Sequence, residues 1–218
     1  DFYNALLNET YDFDFFASIP QSSDAEKYQG RIYRLEGYLF PDTYEFDVQA
    51  NVNDVIYKFL NRFNEVFLPS YYKLAESLGM TVDEAVILAS IVEKEAKLDS
   101  ERAKIAGVFL NRVNSTDETL HKWQSCATIR YVYKKLYGID LVNITLENEK
   151  EDDPYNTYLY EGFIPGPICN PGLKSIQSAL YPETHTYYYF VLNAKDGLGT
   201  HIFSETYKEH LEAKDKYG

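Results

Sequence analysis

The chain has 218 residues, 45% of them hydrophobic and 25% charged, which suffices for one well-cored domain with or without a small appendage and is too apolar for extended disorder. With 34 Asp and Glu against 21 Lys and Arg the formal charge is −13, so the field of the whole protein repels polyanions and no nucleic-acid partner is expected. No apolar run approaches the ~20 residues that span a bilayer.

The sequence opens at Asp1 without Met or a signal peptide and reads as a processed or trimmed fragment, with any export signal or membrane anchor upstream. Residues 1–35 mix polar and aromatic types, broken at Pro20, Gln21, Ser22 and Ser23, and read as the remnant of a small preceding subdomain. In residues 35–46, LEGYLFPDTYEF, the Pro41-Asp42 pair marks a turn between aromatic-rich extended pieces.

From Asn53 the period becomes helical, with Val52, Val55, Ile56, Phe59, Leu60 and Phe63 on one face of a helix that ends before Pro69. A second helix is predicted over residues 70–78, stopped by a left-handed cap at Gly79. Thr81 and Glu84 form a capping box, and the residues that follow, Ala85 to Val92, are apolar nearly all round, as in a helix buried within a domain. Helices are also predicted at about 100–113 and 125–137. Residues 138–185 are rich in Pro and Gly and read as long functional loops. After them, residues 186–192 and 200–203 make a hairpin around Asp196-Gly197, and a capping box at Thr206 and Glu209 opens the last helix.

The chemically unusual feature is Glu93-Lys94-Glu95 at the end of the buried apolar run, because an ionised carboxylate beside a buried face is costly unless paired or used. At about 100° per residue Lys94 points away from the apolar stripe while Glu93 and Glu95 fall on its two flanks, so helix geometry does not choose between them. A carboxyl against a low-dielectric wall can serve as an acid near neutral pH. His121, His185, His201 and His210 have no metal-ligand spacing, Ser and Cys lie in no nucleophile-elbow motif, and there is no phosphate-cradling loop, so neither metal nor cofactor is expected. The 21 Tyr and 13 Phe mostly fill the core, and those left exposed offer flat faces to sugar rings.

Several segments, in content and order, resemble the YceG-like family of endolytic murein transglycosylases: residues 35–46, 88–96 (LASIVEKEA), 105–113 (IAGVFLNRV), Gln124-Ser125, 154–158 (PYNTY), 162–172 (GFIPGPICNPG), Ser175-Ile176, and 188–191 with His201-Ile202-Phe203. The resemblance implies an α+β fold: a mostly helical, lysozyme-like catalytic domain over residues 36–218 with a C-terminal β-hairpin, preceded by residues 1–35 as the tail of a LysM-like subdomain. It implies a membrane anchor upstream, action on peptidoglycan glycan strands outside the cytoplasm, and cell-wall synthases as partners.

It also places the catalytic glutamate at Glu93, with Glu95 in reserve. Acting as acid and then base, that residue would cut the MurNAc–GlcNAc bond and leave a 1,6-anhydro end. Gln124, Ser125, Tyr155, Asn156, Tyr158 and Asn170 are the expected substrate-binding groups. Cys126 stands where an Asp is usual after Gln-Ser, and Cys169 lies in the loop before Asn170. The resemblance brings both to one cleft, where a disulfide between them is expected. A water-using muramidase would need a second carboxylate, for which Glu36, Asp42 and Glu45 are the candidates. A third reading is a non-catalytic glycan-binding scaffold module.

Overall fold

The computed structural model describes residues 2–8, 10–21 and 30–218, so Ser22 and Ser23 of the expected N-terminal break lie outside the described residues. Helix α1 (Phe2–Asn8) leads to α2 (Val52–Val66), α3 (Pro69–Ser77), α4 (Val82–Glu95), α5 (Asp99–Val113) and α6 (Cys126–Tyr137). Helix α7 (Leu173–Leu180), the strands β1 (Tyr189–Leu192) and β2 (His201–Ser204) and helix α8 (Tyr207–Tyr217) complete the order. The architecture is mostly helical with a C-terminal two-stranded hairpin, as expected.

The local signals act where the sequence puts them. Asn51 caps α2 by accepting the Asp54 N–H at 3.0 Å, and the Gly79 cap of α3, at φ +73°, closes with N–H bonds from Gly79 to the Glu76 carbonyl and from Met80 to the Ala75 carbonyl. The Thr81 hydroxyl accepts the Glu84 N–H at 3.1 Å, and the Glu84 carboxylate takes the Thr81 N–H at 2.7 Å. A second capping box at Thr206 and Glu209 opens α8. The hairpin pairs Tyr189 with Ser204, Phe190 with Phe203, Val191 with Ile202 and Leu192 with His201, shorter at its start than the pattern suggested.

Helix α4 is the centre of the molecule, with every residue from Ala85 to Val92 buried and with α3, α5, α6 and α7 packed around it. Helix α7 corrects the expectation of continuous loop over residues 138–185: its eight residues follow Pro171-Gly172 and are too few to show a clear period, yet Ile176, Ala179 and Leu180 are buried against α4 and α5.

The residues ahead of position 35 share this core. Phe15 stacks on Tyr38 at 5.4 Å and meets Phe63 edge-on at 4.8 Å, and Phe63 stacks on Phe67 at 5.3 Å. A buried ion pair reinforces the junction: Arg31 donates to Asp83 in the first turn of α4 at 2.8 Å, and the Tyr38 hydroxyl donates to the same carboxylate at 2.7 Å. Burial opposes the Arg31 charge, but the adjoining Asp83 carboxylate outweighs it and raises the guanidinium pKa. The described residues before position 35 therefore form no separate core.

Candidate active site

Glu93 and Glu95 occupy the last turn of α4, where the carbonyl end of the helix disfavours negative charge. Both are partly exposed, and each is satisfied from a different side. The Ser175 hydroxyl of α7 donates to Glu93 Oε2 at 2.6 Å, with the Gly172 N–H and Arg102 Nη1 of α5 each at 3.3 Å. Arg102 also donates to Ser175 Oγ at 2.6 Å and to Asp99 at 3.0 Å, so Glu93 is the hub of an ion-paired tie joining α4, α5 and α7.

Glu95 turns toward α6. Its Oε1 accepts the Ser125 hydroxyl and, at 3.3 Å, the Ala127 N–H, so the positive end of α6 compensates the negative end of α4. Ser125 is itself the cap of α6, and both neighbours of Glu95 are neutral donors.

The approach to α6 is strained. Gln124 holds φ +52°, a left-handed conformation costly for any residue but Gly. It is kept there by its N–H to the Thr157 carbonyl at 3.0 Å and by Arg112, which donates to Gln124 Oε1 at 2.9 Å and to the Leu120 and Tyr188 carbonyls. Burial lowers the Arg112 pKa without a carboxylate to restore it. Ser125 gives its N–H to Thr157 Oγ1 at 3.0 Å, which clips residues 124–125 to the 154–158 loop.

The expected substrate-binding residues divide. Gln124 is exposed and Tyr158 half-buried beside Glu95, but Ser125 is buried under the carboxylate that it holds. Tyr155 and Asn156 are fully buried and correct the expectation of direct substrate contact. The Tyr155 ring packs on Tyr131 at 4.8 Å, and the Asn156 amide closes its own loop by donating to the Glu149 and Glu151 carbonyls. Asn170 Oδ1 accepts the N–H groups of Gly37 at 2.8 Å and Leu39 at 3.2 Å, tying the 163–172 loop to residues 36–39. Only glycine fits at position 37, which has φ +95°: a Cβ would lie 2.4 Å from Pro167 and 2.9 Å from Val86.

The expected disulfide is not formed. Cys126 Sγ lies 3.3 Å from the Tyr158 hydroxyl, and Cys169 donates to the Ser90 carbonyl at 3.4 Å, so each sulfur is engaged on its own side of α4. Burial raises both thiols, Cys169 up to about 12. The roles of Arg102, Ser175 and Tyr131 are not legible in the sequence, because the groups that they serve are 9, 82 and 95 positions away. Among the described residues no cluster of His, Cys, Asp and Glu is suited to a metal ion, and no helix is long and apolar enough to cross a membrane. A separate groove of about 380 Å³ between the hairpin and α8, lined by Tyr187, Phe203, Glu212 and Tyr217, shares no residue with this site.

Comparison with known proteins gives the same family. The model of the YceG-like family matches residues 3–216. The endolytic murein transglycosylase of Bacillus subtilis (strain 168) is 35% identical over 189 residues, covering 84% of this chain and 48% of that protein. Its counterpart in Streptococcus pneumoniae serotype 2 (strain D39) is 37% identical over 172 residues, covering 78% and 30%. The chain thus spans about half or less of the length of these curated relatives. A crystal structure of the yceG-like protein lmo1499 from Listeria monocytogenes superposes with a TM-score of 0.76 at 30% identity, over 96% of this chain and 66% of that one. A match over nearly its whole length, with the fold to go with it, makes this chain a member of the YceG-like family.

Proposed function

We propose that this chain is the catalytic part of a peptidoglycan lytic transglycosylase, which cuts the MurNAc–GlcNAc bond of glycan strands at the extracytoplasmic face of the membrane and leaves 1,6-anhydro ends. An anchor upstream and cell-wall synthases as partners complete the proposal. The names of the relatives support it, and a net charge of −13, which works against polyanions, is compatible with a neutral or zwitterionic polymer.

Within the site we assign the proton transfer to Glu95 rather than to Glu93. One observation carries the assignment: Glu93 is paired with Arg102, and protonation would break that pair, whereas among the described residues Glu95 is hydrogen-bonded by Ser125 and Ala127 and has no ion pair. A serine hydroxyl accepts as well as donates, so the Glu95–Ser125 bond survives either protonation state. Glu95 as an acid protonates the glycosidic oxygen as the C1–O bond breaks. As a carboxylate it then takes the proton of the muramic C6 hydroxyl as that oxygen closes on C1, which returns the enzyme to its starting state.

The test is digestion of uncrosslinked glycan strands with product masses read by mass spectrometry. Anhydro ends, one water lighter than hydrolysis products, are expected. E95Q should lose about 10²-fold or more of the activity, while E93Q should lose less and unfold at a lower temperature. Near-normal turnover by E95Q alongside an inactive but folded E93Q would reverse the assignment. Products without anhydro ends would move the protein to the water-using muramidases.

A further inference from the structure

Glu36 is a carboxyl that the scheme above leaves unused. It lies on the turn over residues 34–38, and its backbone is fixed on several sides: the Gly37 N–H goes to Asn170, Arg31 Nη2 lies 3.5 Å from the Glu36 carbonyl, and position 37 admits only glycine. The Tyr131 hydroxyl of α6 donates to Oε2 at 2.6 Å. Oε1 has no hydrogen bond to any described residue, and the side chain keeps some exposure. The carboxyl is thus aimed by one strong bond, with its other oxygen unengaged by the described residues and still accessible.

Its position gives the use. Ala127, whose N–H reaches Glu95, and Tyr131, whose hydroxyl reaches Glu36, are four residues apart and so lie on one face of α6 about 6 Å along its axis. Long side chains on a helix lean toward its N-terminus, which carries the Tyr131 hydroxyl back toward the turn where Glu95 sits. The far side agrees: the Cys169 thiol, bonded to Ser90 of α4, lies within the electrostatic reach of both Glu93 and Glu36.

We propose that Glu36 is a second substrate-contacting carboxylate of this site, whose Oε1 accepts a hydrogen bond from an N–H or O–H of the glycan chain held against α6. The inference rests on the glycan-cutting reading above. The groups that face Glu36 are Tyr131 from α6, Tyr155 from the 154–158 loop, Cys169 from the 163–172 loop, and Arg31, which is itself paired with Asp83 of α4. Burial favours the neutral acid, while the Tyr131 hydroxyl and the Arg31 charge favour the acceptor form. Tyr131 is therefore a positioning residue whose hydroxyl opposes the effect of burial and favours the ionised form of Glu36.

The experiment compares wild type, E36Q and Y131F on uncrosslinked glycan strands across pH, with unfolding temperatures measured alongside. E36Q is expected to lower kcat/KM by about 10- to 100-fold, the worth of one hydrogen bond to a charged group. Y131F should move the acid limb of kcat/KM to higher pH, since it removes a donor that favours the carboxylate; a purely structural role would lower activity evenly across pH. Should E36Q unfold, E36D keeps the charge but retracts it by one methylene, and the same assay should show a partial loss. Wild-type kcat/KM in a folded E36Q, or an unmoved limb in Y131F, overturns the inference while the cutting activity stands. If wild type neither cuts nor binds the strands, the glycan-cutting reading itself fails and Glu36 falls with it.

Discussion

Two carboxyls separated by a single lysine have different surroundings, and the difference lies in which neighbour each one faces. Arg102 commits Glu93 to a tie, while Ser125 leaves Glu95 a partner in both protonation states. Glu36 shows a stability cost beside its proposed use. Burial raises its pKa in the fold above the ordinary unfolded value of about 4.3. The neutral form is therefore favoured in the folded state, and the resulting stability is complete below about pH 4.3 and lost as pH rises through the folded value. Glu36→Gln should then gain on wild type as pH rises: urea unfolding at pH 4 and pH 8 should show a larger stability difference in favour of the variant at pH 8. An equal difference at both values would contradict the raised pKa. The cysteines give a second expectation at this scale. Thiol counting in denaturant without reductant should find two free thiols, and alkylation of the native protein near pH 7.5 should be slow, because burial keeps both sulfurs protonated.

Among the elements, α4 combines a locally encoded start with a tertiary setting. Its capping box depends on residues 81–84 alone, and Thr81→Ala should cost about 1 kcal/mol, the usual worth of a cap. Ile91, fully buried in the same helix, is held by its surroundings instead. Ile91→Ala should cost about 2–5 kcal/mol, because a cavity in a packed core adds to the lost transfer energy. Chemical denaturation of the two variants side by side checks the ranking, and a Thr81→Ala loss as large as that of Ile91→Ala would contradict it. Helix α7 shows the reverse balance: with eight residues it has little helical strength of its own and is held by packing against α4 and α5.

Across the molecule, a few long-range polar ties set the distances between the walls of the site. Arg31 with Asp83 fixes the 30–34 segment to α4, Arg112 gathers the 120–124 loop under β1, and Asn170 joins the 163–172 loop to residues 36–39. Asn170→Ala leaves the Gly37 and Leu39 N–H groups without their acceptor and should cost about 1–3 kcal/mol. The variant should melt lower and turn over glycan more slowly, since the loop that it frees also carries Gly172, a donor to Glu93. Unchanged melting and turnover would show that the tie contributes nothing.

The sequence by itself determined the helices with strong periods or caps, the hairpin, the buried character of α4 and the placement of a chemically unusual pair of glutamates at its end. Each of these follows from residues within a few positions of one another, through backbone hydrogen bonding and the repeat of apolar side chains. Only the tertiary structure decided which glutamate is ion-paired, that Tyr155 and Asn156 are buried rather than presented to a ligand, that Asn170 spends its oxygen on two backbone N–H groups, and that the two thiols stay apart. The reason is physical: a local pattern fixes which face of a helix turns inward, but the partner met by a carboxylate, an amide or a thiol on that face comes from segments 9 to 133 positions away, and their arrival depends on the packing of the whole core.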